Sequence, residues 1–187
     1  MSLLLPTLIV LASGRGERFA ASGGQGSKLA APLAGVPVLE RTLAAARASG
    51  LPWHVEDAGH PGMGDSIAAA VRATQHAHGW LILPGDLPLV QPGTLRDVAT
   101  ALISHPAADA VVPTFDGERG HPVAFSARAR DALLALAGPT GAASVLQQAM
   151  KDGRCVMLAV SDAGVRIDVD TVADLWAAER HLAGPPG

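Results

Sequence analysis

The sequence has a single cysteine, no tyrosine, and only 3% aromatic residues. Cys155 therefore has no partner for an internal disulfide and no second thiolate for a zinc cluster. Its neighbours Val156 and Met157 mark it as a small core residue of a buried strand. With aromatics scarce and Ala and Leu dominant, the core is expected to be helix packed on sheet rather than a β-sandwich. Charge is also sparse, at 17% of residues with a formal net charge of -3, and lysine occurs only at Lys28 and Lys151. No basic stripe is present, so nucleic acid is disfavoured as a main partner, because backbone phosphates demand a large positive footprint. A small anionic ligand needs only a few local arginines. The apolar run "LLLPTLIVLA" near the start is broken by Pro6, is preceded by no Lys or Arg, and falls far short of the ~20 apolar residues of a membrane span. It reads as a buried first strand, and the expectation is a cytoplasmic protein with no membrane partner.

What the sequence does contain is apolar residue, 49% of 187 positions, enough for the large core of one domain spanning 1–187, with "AGPPG" at 183–187 as a loose tail. "TLIVLA" has the continuous β-branched and aliphatic character of a central parallel strand. Pro37 and Gly50 bracket a helix that presents Leu39, Leu43 and Ala46 on one face. "WHVE" is a short strand. Asp65 or Ser66 is expected to cap the next helix, with Ile67, Ala70, Val71 and Thr74 inward. "WLIL" is a buried strand, and Pro92 opens a helix with Leu95, Val98, Leu102 and Ile103 inward. "DAVVP" is a strand, Asp116-Gly117 a turn, and residues 123–125 a return strand. Helices over about 128–136 and 142–150 follow. Strands over "CVMLAV" and "VRIDV" come last, and Thr171 to Asp174 form a capping-box pattern that opens the final helix. Strands alternating with helices argue an α/β three-layer sandwich with a mostly parallel sheet.

Ligands of such sheets bind at the carboxyl ends of the strands, where this chain places "SGRGERF", "GHPGMGDS", "PGDLP" and "DVDT". Gly14 and Gly16 let backbone N–H groups approach an anion, and Arg15 and Arg18 offer planar forks for phosphate oxygens. A plain strand-to-helix turn is the bland alternative. A dinucleotide fingerprint needs glycine where Phe19 stands and an acid after the second strand, so a nicotinamide-dependent oxidoreductase is the weaker rival. Asp86 follows a fully apolar strand. With Asp168 and Asp170, which share a face of the last strand, it is suited to magnesium, which takes one or two carboxylates plus phosphate oxygens. Capping a turn or helix is the alternative for each aspartate. Of the seven histidines, His76 and His78 read as solvated and His121, beside Arg119 and Gly120, as near the site. No Ser-His-Asp or Cys-His arrangement is readable.

Taken in order, "LASGRGERF…K", "GMGDSI", "GDLPLV", "GHPV" and "DVDTVADL" resemble the molybdenum cofactor nucleotidyltransferase family over about residues 8–182, with its cytidylyltransferase branch nearest. The resemblance implies a three-layer α/β/α Rossmann-like nucleotidyltransferase fold. It implies transfer of a nucleoside monophosphate, CMP ahead of GMP, from a nucleoside triphosphate to the phosphate of molybdopterin or a similar small phosphorylated acceptor, with release of pyrophosphate. Leu11, Ala12, Ser13, Gly14, Arg15, Gly16 and Asp86 would line the nucleotide, Lys28 would contact phosphate, and Gly64 and Ser66 would meet the base or ribose. Arg15, Arg18, Lys28 and Asp86 would form the catalytic set, Asp86 with Asp168 and Asp170 the Mg2+ site, and Arg119, Gly120 and His121 the acceptor contacts. A molybdoenzyme or its chaperone is the implied protein partner. Three departures stand out. Ser13 replaces the family's usual Ala or Gly at a position that helps choose the base. "FAASGGQGS" separates Arg18 from Lys28 and must fold away if the lysine is to reach phosphate. Finally, one β-α unit is expected to be missing after the first helix. The last two departures raise the alternative of a relative that binds nucleotide without transferring it.

Overall fold

The computed structural model describes residues 5–14 and 16–184. The first apolar run forms β1 (Thr7–Leu11), buried at every position. A short helix α1 (Glu17–Ala21) follows, then an exposed glycine turn and a 3-10 turn over Lys28–Ala30. A two-stranded hairpin of β2 (Pro32–Leu33) and β3 (Val36–Pro37) leads into α2 (Val38–Ser49), which ends on Gly50 in the left-handed conformation. Next come β4 (Trp53–Glu56), α3 (Met63–Ala73), β5 (Gly79–Pro84), α4 (Pro92–Ser104) and β6 (Ala110–Phe115). Asp116 and Gly117 both have positive φ, 50° and 79°, and turn the chain into β7 (Glu118–Arg119) and β8 (Val123–Ser126). The rest is α5 (Arg130–Leu134), α6 (Ala143–Lys151), β9 (Cys155–Ala159) and α7 (Val172–Ala183). Thr171 and Asp174 make the expected capping box at the start of α7. Ala183 closes that helix, so the tail begins later than expected, and residues 185–187 lie outside the described region.

The strand order is β4-β1-β5-β8-β6-β7, with β9 also on β6. The β4–β1, β1–β5 and β6–β9 pairs are parallel, whereas β8 runs antiparallel between β5 and β6. Helices α2 and α4 cover one face around Leu8, Val10, Leu81, Leu83 and Leu95. Helices α3, α5 and α6 cover the other around Ile9, Trp80, Ile82 and Phe125. Alternate residues of β1 and β5 thus feed opposite layers, which is why both strands read as continuous apolar runs. Only two residues separate Gly50 from Trp53, and among the described residues no strand lies outside β4. The sheet edge is short on that side, as expected. No helix among the described residues is long and apolar enough to cross a membrane.

Several local expectations need correction. "VRIDV" is not a strand: Ala163–Val165 form a 3-10 turn, and the segment then crosses the strand ends, held by the bond from Val169 N–H to the Asp86 carbonyl at 2.9 Å. Helix α3 starts at Met63, not at Asp65 or Ser66, because extended Gly62 caps it; Asp65 instead accepts from Gly138 N–H at 2.9 Å. Ile103 is exposed, because it lies about 100° around α4 from the buried row that ends in Leu102. Cys155 is half-buried rather than core, and that burial raises its thiol pKa.

One glycine is set by close approach. A Cβ on Gly85 would lie 2.8 Å from the Leu11 carbonyl, which already accepts the Gly85 N–H at 2.8 Å. Gly85→Ala should therefore cost about 1–3 kcal/mol of stability through overpacking, read as a lower urea midpoint with unchanged m-value; an unchanged midpoint would mean that the β1 and β5 ends part freely.

Candidate functional site

The carboxyl ends of β1, β4 and β5 are drawn together by backbone bonds. Ala12 N–H donates to the Glu56 carbonyl at 2.9 Å, and Gly85 N–H to Leu11. A cleft of about 330 Å³ opens there, lined by Leu11, Ser13, Gly14, Lys28, Ser66 and Asp86 among others. Six of the residues expected to bind nucleotide thus meet at one place, although they come from four segments of the chain. Gly16 turns the loop into α1 in the left-handed region, with φ 64°. Ala12 lies beneath the loop, packed against the small cluster around Phe19 and Val169. Gly64 does not line the cleft. Its N–H donates to the Gly138 carbonyl at 2.9 Å, so it fixes the start of α3 against the 137–138 loop. Arg15 lies outside the described residues.

The long segment between Arg18 and Lys28 does fold away. Phe19 and Leu29 are buried in one cluster with Val38, Val169 and Ala178, while Gly23 and Gly26 form an exposed turn between them. This anchoring returns Lys28 to the cleft. Its Nζ donates to Asp86 Oδ2 at 2.5 Å and to Asp170 Oδ1 at 2.6 Å. Arg18 reaches Asp170 from the solvent side. Burial works against the Lys28 charge, but the bonds to Asp170 and Asp86 outweigh it and hold its pKa above the ordinary lysine value. Asp86 Oδ1 is buried with no hydrogen-bond partner among the described residues. Asp168 takes no part in these ion pairs. Partial burial of its carboxyl and the charges of Asp86, Asp170 and Asp174 raise its pKa, against the pull of a backbone bond. Asp168 and Asp170 thus play different parts: one carboxylate is open, the other is neutralised by two cations. Among the described residues no group of three His, Cys, Asp or Glu is arranged as a metal cluster. A cation taking only two carboxylates, with its remaining ligands from phosphate and water, is compatible with that.

Ser66 lies in the first turn of α3 and faces Ser13 across the cleft, Oγ to Oγ at 3.0 Å. A second cavity of about 370 Å³ adjoins the first and shares Leu11, Met63 and Pro84 with it. Arg119, Gly120 and His121 line it together with Ile67, Phe125 and Leu146, so the three expected acceptor contacts are also gathered. Burial lowers the His121 pKa, partly offset by the charges of Asp86 and Asp168 and by its bond to the Ile82 carbonyl. Its Nδ1 is buried without a partner among the described residues. His60 was not singled out from the sequence. It lines the first cleft beside Pro61 and is held by buried Glu56, Nε2 to Oε1 at 3.4 Å. The glycines of "GHPGMGDS" signalled the loop, but not the carboxylate two residues beyond Val55's neighbour His54 that would anchor it.

Comparison with known proteins bears on the family and the fold. Residues 45–154 match the family described as the MobA-like NTP transferase domain. The chain is 33% identical over 219 aligned positions to 2-C-methyl-D-erythritol 4-phosphate cytidylyltransferase of Cereibacter sphaeroides, covering 94% of this chain and 96% of the relative. It is 32% identical over 114 positions to the bifunctional protein GlmU of Coxiella burnetii, covering 49% of this chain and 24% of the relative; the match thus spans about a quarter of GlmU's length. Among solved structures, Rv0371c of Mycobacterium tuberculosis H37Rv superimposes with a TM-score of 0.73 at 26% identity, over 94% of this chain and 98% of that one. The same protein has been solved in complex with manganese. A nucleotidyl transferase of Methanothermobacter shares the fold with a TM-score of 0.76 at 23% identity, over 96% and 98% of the two chains. Molybdopterin-guanine dinucleotide biosynthesis protein A of Archaeoglobus fulgidus does so at 0.59 and 18%, over 96% and 100%.

The raised pKa of Asp168 has a sign that can be checked. Folding favours its protonated form, so the ionised form costs stability above the folded pKa, and the cost vanishes as pH falls below the unfolded 3.8. Without added cations, Asp168→Asn should raise the melting temperature at pH 7, by the equivalent of at most about 1 kcal/mol given solvent screening. The difference should fade toward pH 3; a destabilised variant would show that Asp168 is held by a partner instead.

Proposed function

The chain belongs to the MobA-like NTP transferase family, and from that premise we propose that it moves a nucleoside monophosphate, CMP ahead of GMP, from a nucleoside triphosphate to the phosphate of molybdopterin or a similar small phosphorylated acceptor. The observation that supports this most is the meeting of Lys28 and Asp86 in a cleft behind the glycine loop, next to a second, largely apolar cavity. In this reading the triphosphate lies along residues 12–16, with Arg15, Arg18 and Lys28 screening its charge. The acceptor body fills the second cavity. Its phosphate oxygen attacks the α-phosphorus, the bond from that phosphorus to the bridging oxygen breaks, and pyrophosphate leaves with the bond's electron pair. The attacking phosphate, with a second pKa of about 6, is already ionised at neutral pH, so no general base is needed. The protein's contribution is positioning and electrostatic stabilisation.

Asp86 and Asp168 are the residues that would hold Mg2+. The partnerless Asp86 Oδ1 and the crowded, uncompensated Asp168 carboxylate both fit a cation. When bound, the ion would screen the phosphates and stabilise the charge on the leaving group. The manganese complex of the Mycobacterium neighbour favours a divalent cation. Asp170 has a different task, holding Lys28 and Arg18. Ser13 and Ser66 are placed to meet the base or ribose, and the likeness to a cytidylyltransferase favours cytosine. His121 donates to the Ile82 carbonyl, which leaves its neutral Nδ1 as an acceptor. It would therefore take a hydrogen bond from an N–H or O–H of the acceptor body, leaving the phosphate to cationic groups. The cytoplasm is the proposed compartment, and a molybdoenzyme or its chaperone the proposed recipient of the product.

Pyrophosphate release, measured with CTP and GTP against molybdopterin and a panel of simpler phosphates, tests the reading. Release should require an acceptor and a divalent cation, and Asp86→Ala should lower it by about a hundredfold to a thousandfold. Triphosphate binding without release under any pairing would instead make the chain a nucleotide-binding relative that transfers nothing.

A further inference from the structure

We propose that Lys28 is the resident counter-ion of Asp86 and Asp170 in the free protein, that it leaves Asp86 for the incoming triphosphate, and that the divalent cation is therefore admitted only in company with the nucleotide. The proposal rests on the nucleotidyltransferase reading of the cleft.

Three observations carry it. First, the Lys28 ammonium bridges the two carboxylates at 2.5 and 2.6 Å, with all three side chains at most one-fifth exposed. It stands on one oxygen of Asp86 while the other, Oδ1, is buried and has no partner among the described residues. A cation approaching Asp86 would meet a positive charge already lodged on the same carboxylate, at separations where repulsion in a poorly solvated cleft is strong. Magnesium also gives up its waters reluctantly, so a half-neutralised carboxylate is a poor inducement. Secondly, the network is built to release Lys28. Arg18 is mostly exposed and independently paired with Asp170, so Asp170 keeps a partner when the ammonium departs. Among the described residues Asp86 has no second cationic partner, and its freed oxygen then becomes available to a cation. Thirdly, Lys28 has somewhere to go. It lines both the main cleft and a second depression lined by Gly14, Gly16 and Arg18. Its stem runs over the two glycines, where a Cβ on Gly14 would already touch Cε at 3.6 Å. A single ammonium on a flexible four-carbon stem can exchange one anion for another; the rigid fork of arginine is less suited to this. A triphosphate arriving at the glycine loop supplies both the replacement anion for Lys28 and the extra oxygens the cation needs.

With only two lysines in the chain, the side chain can be observed directly. Protein labelled with 15N-lysine gives two Nζ signals, those of Lys28 and of exposed Lys151, which serves as the internal reference. CTP or GTP with magnesium should shift the Lys28 signal and leave Lys151 in place, whereas magnesium alone should move neither. In a parallel titration followed by electron paramagnetic resonance, Lys28→Gln should bind manganese without nucleotide at least roughly tenfold more tightly than the wild type. A Lys28 signal that stays put while thermal shift shows the triphosphate bound would overturn the proposal and leave the nucleotide reading standing. Displacement of Lys28 by magnesium alone would overturn it equally. If no triphosphate stabilises the fold, the proposal falls together with the reading beneath it.

Discussion

Gly85 N–H donates to the Leu11 carbonyl at 2.8 Å, and the geometry of the site follows from that bond. It joins the ends of two parallel, fully buried strands just where one becomes the glycine loop and the other becomes Asp86. The bond forms only because nothing stands on the Gly85 α-carbon. The Gly85 carbonyl is taken in turn by Thr42 Oγ1 at 2.9 Å, and the Asp86 carbonyl by Val169 N–H at 2.9 Å. The backbone on both sides of Asp86 is thereby fixed to α2 and to the segment that carries Asp168 and Asp170. The carboxylates are set near one another by main-chain bonds, before any side-chain attraction acts.

Those bonds create an electrostatic problem that the rest of the site resolves. Asp86 and Asp170 lie close enough to share one ammonium, and the charges of both act on Asp168. Left alone, such a cluster would take up protons or repel itself apart. Among the described residues, two cations from the segment after β1 answer it. Lys28 is buried and bonded to two carboxylates; Arg18 is exposed and bonded to one. The neutralisation is incomplete, and Asp168 carries the residue of it. A site left partly unsatisfied in this way is less stable than a fully paired one, and it has an appetite for a cation that a fully paired one would lack.

The parts legible in the sequence were those governed by local pattern. The buried run of β1, the capping box of α7, the Asp116-Gly117 turn and the acid after β5 each depend on a few neighbouring residues. The parts that were not legible depend on distant packing. "VRIDV" alternates as a strand should, yet it crosses the strand ends because its N–H partner is the Asp86 carbonyl rather than a neighbouring strand. Glycines 62 and 64 read as loop, but the second lies inside α3, where its lack of a side chain admits the backbone of Ala137. The return of Lys28 depended on Phe19 and Leu29 finding a common cluster beneath α7, a contact that the spacing of "FAASGGQGS" does not encode. The same Phe19 that spoils a dinucleotide fingerprint is one of the two anchors that bring the lysine home.

The two adjoining cavities differ in the polar groups that line them. The first is edged by Lys28, Asp86 and the serine pair; the second is walled mainly by aliphatic side chains and Phe125, with Arg119 and His121 as its charged or titratable members. Apolar contact binds a molecule without orienting it, whereas a few fixed polar groups orient it. In the proposed transfer, an acceptor held by its body in the second cavity would spend that binding on bringing its phosphate up to the shared wall of Leu11, Met63 and Pro84, against the repulsion of a second polyanion. A charged histidine in the second cavity would bind such a phosphate directly and hold it in the ground state. Burial disfavours a charge on His121 instead, so in the proposed transfer the acceptor phosphate would be left to Arg119 in the second cavity and to Lys28 in the first, and the charge growing on the leaving group to the Lys28 side.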